Sequence, residues 1–233
     1  MNKQLKTIES GETFNFGGYD WTKLDDDFYG GTLVMTNDII FKKAFDEDNC
    51  NDWRESSLRS DLNDKNNEFF KTIFENESLP FGQDWDEYFL TILSDLTADD
   101  GMKNYETSSD YVALLTCDLY RKYRDIIPPA DDYYWTMTPW TCDASYSRYV
   151  RLVNSTGTLY HSYASYGNSG VRPLCRLKSE ISVSVKGDDL TAHLPDNSDY
   201  KRGYKDGFAA ALEKMADFIG EQEYDLENCE DEE

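Results

Sequence analysis

Hydrophobic positions in the first part of the chain alternate with polar ones in short runs that end at glycines. Over residues 13–36 these runs are separated by Gly17-Gly18 and by Gly30-Gly31. Alternation with a period of two is typical of half-buried strands, and paired glycines are typical of the turns between them. The pattern therefore predicts a β-hairpin or meander over residues 13–36.

Apolar spacings of three and four residues predict helices further along the chain. These helices are expected over residues 39–45 after an Asn37-Asp38 cap, from Ser56 or Ser57 through residue 62, over 69–74, and over 117–127 ahead of two prolines. Short apolar runs predict strands over residues 111–116, 174–177, 181–185 and 190–194.

The C-terminal part of the chain has a different pattern. Residues 200–219 carry an apolar side chain every three or four positions, which predicts an amphipathic helix of about five turns. Residues 221–233 are mostly acidic and are expected to be disordered. We therefore predict a main domain over 1–183, a strand hairpin and linker over 184–199, an amphipathic helix over 200–220, and an acidic disordered tail over 221–233.

The stretch from residue 135 to residue 178 changes composition in its middle. Rigid residues stand at both ends, in WTMTPW and in GVRPLCRL. Between Asp143 and Gly170 the chain has no Glu, Lys, Gln, Met or Trp, although these types make up roughly a fifth of the whole sequence. The segment consists mostly of Tyr, which gives large rigid contact area, and of Ser, Asn, Thr and Gly, which give adaptable hydrogen bonding. Such a composition is typical of a binding surface.

Charge and cysteine content argue against several classes of function. The formal net charge is −23, so the phosphates of nucleic acids and anionic membranes would repel the chain, and we expect neither as a partner. The N-terminus lacks the apolar stretch of a secretory signal, and no apolar run approaches the length of a membrane span. Five widely spaced cysteines without a C-x-x-C pair predict free thiols in a protein made in the cytoplasm, with a Cys142–Cys175 disulfide as the alternative.

Five motifs occur in the same order as in a known group of domains. They are FGGYDW, SSLRSDLN followed by FF, DYVALLT, YYWTMTPW and GVRPLCRL. Over about residues 11–183 this order resembles an uncharacterised domain family of gut bacteria and their phages. That family is similar to the C-type-lectin-fold variable proteins of diversity-generating retroelements. The resemblance implies an α+β, C-type-lectin-like fold with mixed antiparallel sheets and two flanking helices, followed here by a C-terminal hairpin and helix appendage.

The resemblance also implies a mechanism for the bias of the Asp143–Gly170 segment. In these retroelements template adenines are miscopied, and the product replaces a coding segment of the lectin-fold protein. An AAC codon can then become Tyr, Ser, Asp, His, Thr or Gly, but not Glu, Lys, Gln, Met or Trp, because its third base is retained. Two features depart from the family. The arginine of its W-x-R-S-P motif is missing from residues 135–139, and the segment is not at the C-terminus.

The resemblance implies a receptor- or adhesin-type function, with a protein ligand expected and a glycan as the alternative. The candidate contact residues, about two thirds of which are expected to be exposed on one face, are Asp143, Ser145, Tyr146, Ser147, Tyr149, Asn154, Ser155, Tyr160, His161, Ser162, Tyr163, Ser165, Tyr166 and Asn168. The expected scaffold residues are Trp135, Pro139, Trp140, Gly170, Arg172 and Pro173. The residues expected to face the core are Val150, Leu152, Val153, Leu159 and Ala164, with Gly157 at a turn.

Other interpretations stay open at this point. A structural or adaptor component of a phage particle or cell surface would self-associate through residues 200–220. An oxidase similar to the formylglycine-generating group, a remote relative of the family, would use Cys142 and Cys175. We expect no enzyme activity and no cofactor. We also expect no metal, because the two histidines are far apart and the Glu-Pro-Asn loop of lectin calcium sites is missing, although a structural calcium stays open.

Overall fold

The computed structural model describes residues 2–77, 88–186 and 189–193. The strands are β1 Asn2–Gln4, β2 Thr13–Phe16, β3 Tyr19–Asp25, β4 Thr32–Thr36, β5 Phe41–Lys42, β6 Phe89–Leu90, β7 Ile92–Asp95, β8 Thr107–Asp110, β9 Val112–Ala113, β10 Tyr134–Pro139, β11 Tyr149–Val153, β12 Leu159–Tyr163, β13 Gly170–Val171, β14 Leu174–Leu177, β15 Ser182–Lys186 and β16 Asp189–His193. The α-helices are α1 Ser57–Leu62, α2 Glu68–Asn76 and α3 Cys117–Tyr123, and 3-10 turns occupy Leu5–Thr7 and Trp53–Glu55. The described chain is therefore of the α+β class, with most of its regular structure in strands.

The described strands form three sheets. The largest has the order β1-β15-β16-β2-β3-β4-β14-β6, and β9 also pairs with β14. A five-stranded sheet has the order β12-β11-β10-β13-β5, and β7 pairs with β8 in a separate hairpin. The pairs are antiparallel except for β16 with β2 and β10 with β13, each of which has a single register pair. The sheets are thus antiparallel-rich, which agrees with the coarse α+β expectation drawn from the resemblance.

The predicted meander over residues 13–36 is confirmed as β2, β3 and β4. Gly17 and Gly18 form the first turn with φ values of +58° and +81°, which favour glycine over residues with a Cβ atom. The indole of Trp21 is buried, donates to the carbonyl of Phe16 and lies 6.0 Å from the ring of Phe69. The meander therefore packs its aromatic face against α2.

Both central helices begin where the sequence predicts. Ser56 caps α1 by accepting from the backbone N–H of Arg59, and Asn67 caps α2 by accepting from that of Phe69. The face of α2 that carries Phe69, Phe70, Ile73 and Phe74 is buried in the core. Burial of each such side chain contributes about 1.5–3 kcal/mol, so this face is the main anchor of the helix.

Polar side chains of the SSLRSDLN motif form an ion pair and a hydrogen bond with the DYVALLT motif, which explains why both motifs carry polar residues beside buried apolar ones. Arg59 of the first motif forms an ion pair with buried Asp110 of the second, with Nε 2.7 Å from Oδ1. Asp110 also accepts from the Trp53 indole and from the Ser108 hydroxyl. Asn63 donates to the carbonyl of Val112 at 2.9 Å. These bonds hold α1 against the segment that continues into the core.

The predicted helix over residues 39–45 is wrong. Residues 41–42 form strand β5, because the Ile40 N–H donates to the Val171 carbonyl and Lys42 pairs with Gly170. A Cβ atom at Gly170 would lie 2.5 Å from the side chain of Ile39, so only glycine permits this approach. Pairing with a distant strand has overridden the local helical spacing.

Three further boundaries differ from the sequence expectation. Only Val112–Ala113 of the predicted 111–116 strand are strand, although the following residues are buried, and α3 ends at Tyr123 instead of continuing to 127. The hairpin of β15 and β16 lies between β1 and β2 in the largest sheet, not outside the domain, and residues 1–194 form one compact unit.

The predicted helix over 200–220 and tail over 221–233 lie outside the described residues. In the part of the chain that is described, no helix has the length and apolar character that a membrane span requires.

Candidate ligand-binding surface

The biased segment from Asp143 to Gly170 folds as one hairpin with a loop on each side. Strands β11 and β12 pair in register from Tyr149 with Tyr163 to Val153 with Leu159, and β11 continues the sheet by pairing with β10. Because β12 is at the end of the strand order, its outer edge has no neighbouring strand within the described sheet. The segment therefore lies at the border of the five-stranded sheet.

The apolar residues of the segment anchor it. Val150, Leu152, Val153 and Ala164 are at most 1% exposed, whereas Leu159 is half-buried. Gly157 turns the chain between the strands with φ +75°. These positions give the segment its fold, and the side chains between them are available for other contacts.

A buried asparagine outside the segment fixes the approach to the hairpin. Asn51 is fully buried and donates through Nδ2 to the carbonyls of Thr141 and Tyr149, each at 2.9 Å. The hydroxyl of Tyr105 donates to its Oδ1 at 2.7 Å. The backbone of the 141–149 loop is thus held by groups that do not belong to the biased segment.

Five rings converge on one face of the hairpin, and we call them the aromatic patch: Trp140, Tyr146, Tyr149, His161 and Tyr163. The imidazole of His161 stacks on Trp140 with centroids 4.6 Å apart and planes 12° apart. Tyr149 meets Trp140 edge-on at 5.2 Å and lies 4.7 Å from Tyr163. Tyr146 lies 5.7 Å from Trp140. Tyr146 and Tyr163 are about half exposed, so the patch presents a pre-packed aromatic surface.

An ion pair supports the patch. Arg151 is the register partner of His161 and pairs with Asp99, which also pairs with Arg121. Burial acts to raise the pKa of Asp99, but the two arginines outweigh it and hold that pKa below its ordinary value. Partial burial, and then the charge of Arg151, lower the pKa of His161. The lowered pKa favours the neutral imidazole, and a neutral ring loses less hydration free energy than a charged one when it stacks on Trp140.

The opposite face of the hairpin borders a separate cavity of about 440 Å³, which we call the edge pocket. Its walls are formed by Lys42, Asp132, Tyr133, Leu152, Tyr160, Ser162, Tyr166, Asn168 and Ser169. Alternation along a strand places Tyr160 and Ser162 opposite His161 and Tyr163. The ring of Tyr160 also lies 5.3 Å from that of His161, so the pocket and the patch meet at the sheet border.

The candidate contact residues are thus divided between two faces and do not share the single face expected. Nine of the fourteen are exposed, and the other five, Ser147, Tyr149, Asn154, His161 and Ser162, are half-buried. Asp143, Ser145 and Ser165 lie in the loops on either side of the hairpin. Asn154 and Ser155 lie at the far turn, roughly 16 Å along the strand from Tyr149. The Asn154 Oδ1 accepts from the N–H groups of Thr156 and Thr158, so this residue builds the turn.

Five of the six expected scaffold residues are buried, and Trp140 is the exception. Trp135 donates from its indole to the carbonyl of Lys43 and is 1% exposed. Arg172 is fully buried, donates to the carbonyls of Thr36 and Pro128, and lies over the ring of Tyr134 at 4.8 Å. Burial raises the pKa of Tyr134 to about 12. Trp140 is half-buried, and its ring packs against Tyr149 and His161, so it braces the hairpin and also belongs to the aromatic patch.

Three residues that border the site were not among the expected contact residues. Trp140, expected only as scaffold, and Tyr133 lie outside the biased segment, so the composition of that segment did not indicate them. Arg148 lies within it, with its guanidinium carbon 5.5 Å from the centroid of Tyr149 and 5.9 Å from that of Tyr163. The pair Tyr133-Tyr134 was a signal for Tyr133, because neighbouring residues at the start of a strand point to opposite faces and one of the two is then exposed.

The two thiols considered for oxidation lie in different parts of the fold, Cys175 in a strand of the largest sheet and Cys142 in a loop. Cys175 is fully buried on β14, and burial raises its pKa. Cys142 follows β10, is half-buried, and has its pKa raised by burial as well. Both are free thiols, as are Cys50 and Cys117. A thiol with a raised pKa is a weaker nucleophile at neutral pH because less of it is ionised. Within the described residues, no three His, Cys, Asp or Glu side chains are grouped as a metal site requires.

Comparisons with protein-family models, with curated proteins and with solved structures found no match to this chain.

Proposed function

We propose that this protein binds a macromolecular ligand, most simply another protein, through the aromatic patch. The observation that carries the proposal is the agreement between composition and position. The segment that lacks Glu, Lys, Gln, Met and Trp contains four of the seven large hydrophobic residues exposed in the described chain: Tyr146 and Tyr163 in the patch, and Tyr160 and Tyr166 at the neighbouring edge pocket. Pre-packed aromatic anchors with a polar surround are what protein interfaces use to gain affinity.

We further propose that the patch residues within the Asp143–Gly170 segment are diversified by a retroelement on a scaffold of the C-type-lectin type, with Trp140 constant. Its variable positions would be exposed side chains, and its constant positions would be the buried residues Val150, Leu152 and Ala164. The supports given by Asn51 and by the Arg59–Asp110 pair lie outside the segment, so they would be unaffected by its diversification. The motif order described above and the antiparallel-rich α+β architecture favour this scaffold.

A display library tests the binding proposal. Tyr146, Tyr149, His161 and Tyr163 are replaced by NNC codons, and the library is selected for binding to an arbitrary folded protein such as lysozyme. We expect clones with micromolar or better affinity, since the buried residues Val150, Leu152 and Ala164, which the library leaves unchanged, anchor the backbone of the hairpin. The matched control randomises four exposed positions between residues 6 and 13 in the same way. Equal yields from the two libraries would contradict a dedicated binding face.

A further inference from the structure

The edge pocket combines aromatic walls with groups that both donate and accept hydrogen bonds. The rings of Tyr133, Tyr160 and Tyr166 are each between 40% and 54% exposed, and Tyr133 meets Tyr160 edge-on at 6.2 Å. The volume of about 440 Å³ lies within the range of small-ligand sites. Two tyrosine rings whose planes are inclined by 67° suit a ligand with an apolar face and a polar rim.

The charges at the pocket balance. Lys42 and Asp132, which both line the pocket, form an ion pair with each other, and both side chains remain partly exposed. A charged ligand would be attracted by one and repelled by the other, whereas a hydroxyl can accept from the ammonium and donate to the carboxylate. Asn168 adds an amide that can do both. The polar groups therefore match a neutral ligand.

A buried hydroxyl at the wall points to the same conclusion. Ser169 is 1% exposed and lines the pocket, and its Oγ has no hydrogen-bonding partner in the described part of the protein. An unpaired buried polar group is unfavourable by about 1–3 kcal/mol. The Oγ is covered, so a ligand hydroxyl would reach it only after the Ser169 side chain rotates toward the pocket, and that bond would then remove the cost. An apolar ligand would leave it unpaired.

From these observations we infer that the edge pocket binds a neutral saccharide of one or two rings, as a site separate from the aromatic patch. The apolar C–H face of a pyranose packs against Tyr160 or Tyr166. Its hydroxyls bond to Asn168, Ser169 and the Lys42–Asp132 pair. A basic side chain of a protein ligand could also lie on the tyrosines. Such a cation would need the Asp132 carboxylate as a partner, however, and that carboxylate is already paired with the ammonium of Lys42.

Saturation-transfer NMR on the full chain tests this inference. The probes are the methyl glycosides of glucose, galactose, mannose, fucose and N-acetylglucosamine, together with maltose and lactose. We expect at least one probe to bind with a dissociation constant of about 0.1–10 mM, as befits a ligand of this size. Tyr160→Ser and Asn168→Ala are each expected to weaken that binding at least tenfold.

The matched control is Tyr163→Ser, an equally exposed tyrosine on the opposite face of the same strand, which should leave saccharide binding unchanged. The inference is overturned if no probe binds at about 20 mM, or if binding survives Tyr160→Ser. It is also overturned if N-acetyl-arginine amide binds where the sugars do not. Because the library above randomises the patch and not the pocket, its failure would leave the saccharide site standing, and the converse also holds.

Discussion

Replacing Leu152 by alanine tests whether the buried residues of the biased segment stabilise the fold while its exposed residues do not. Leu152 is 1% exposed and pairs in register with Trp135 on one side and Tyr160 on the other. A buried Leu→Ala change removes transfer free energy and leaves a cavity, which together cost about 2–5 kcal/mol. For a chain of this size, a loss of about 3 kcal/mol lowers the Tm by roughly 6–12 °C.

The companion variant is Tyr163→Ser, on a side chain that is 48% exposed. It removes the ring contact with Tyr149 at 4.7 Å, which is worth about 0.5–1.5 kcal/mol, so the Tm should fall by less than about 6 °C. Thermal unfolding followed by circular dichroism compares the two. If Tyr163→Ser destabilises the protein as much as Leu152→Ala, the patch is part of the fold and the division between constant and variable positions is refuted.

Three further predictions concern the supports of the site. Asp110→Ala should lower the free energy of unfolding by about 2–4 kcal/mol in urea titration, because Arg59 and the Trp53 indole lose a buried acceptor; a loss under about 1 kcal/mol would contradict this role. Asn51→Ala should speed hydrogen exchange at the Trp140 amide, whose acceptor carbonyl Asn51 also holds, and unchanged exchange would show that the loop needs no such support. The pKa of His161 is lowered in the folded protein, so its contribution to stability is present above the unfolded-state pKa of about 6.5 and is lost as the pH falls below that value. The Tm of the wild type should therefore drop more between pH 7 and 5 than the Tm of His161→Phe. Parallel curves of Tm against pH would contradict this prediction.

The sequence predicts an element correctly when the interactions that determine it are local in the chain. The meander over 13–36 and the starts of α1 and α2 follow from glycines, alternation and capping residues, which act within a few positions. The helix predicted over 39–45 failed because residues 40–42 pair with residues 170–171, about 130 positions away. Periodicity within a window has no access to such a partner.

The candidate site shows the same limit. Composition located the Asp143–Gly170 segment, and the apolar residues Val150, Leu152 and Ala164 are buried within it. That the remaining side chains divide between a patch and a pocket follows from the register of β11 with β12, which composition does not specify. Trp140 joins the patch because its N–H donates to the carbonyl of Tyr149, a contact fixed by the fold and not by spacing.

Sequencing of the DNA that flanks this coding region tests the central claim most directly. The account predicts a near-copy of codons 143–170 beside a reverse transcriptase gene, with differences confined to adenines of the copy. Those differences should fall in codons for exposed patch residues such as Tyr146 and Tyr163 and spare the codons for Leu152 and Ala164. Absence of such a copy, or differences spread equally over the buried codons, would contradict the claim that this surface is built to vary.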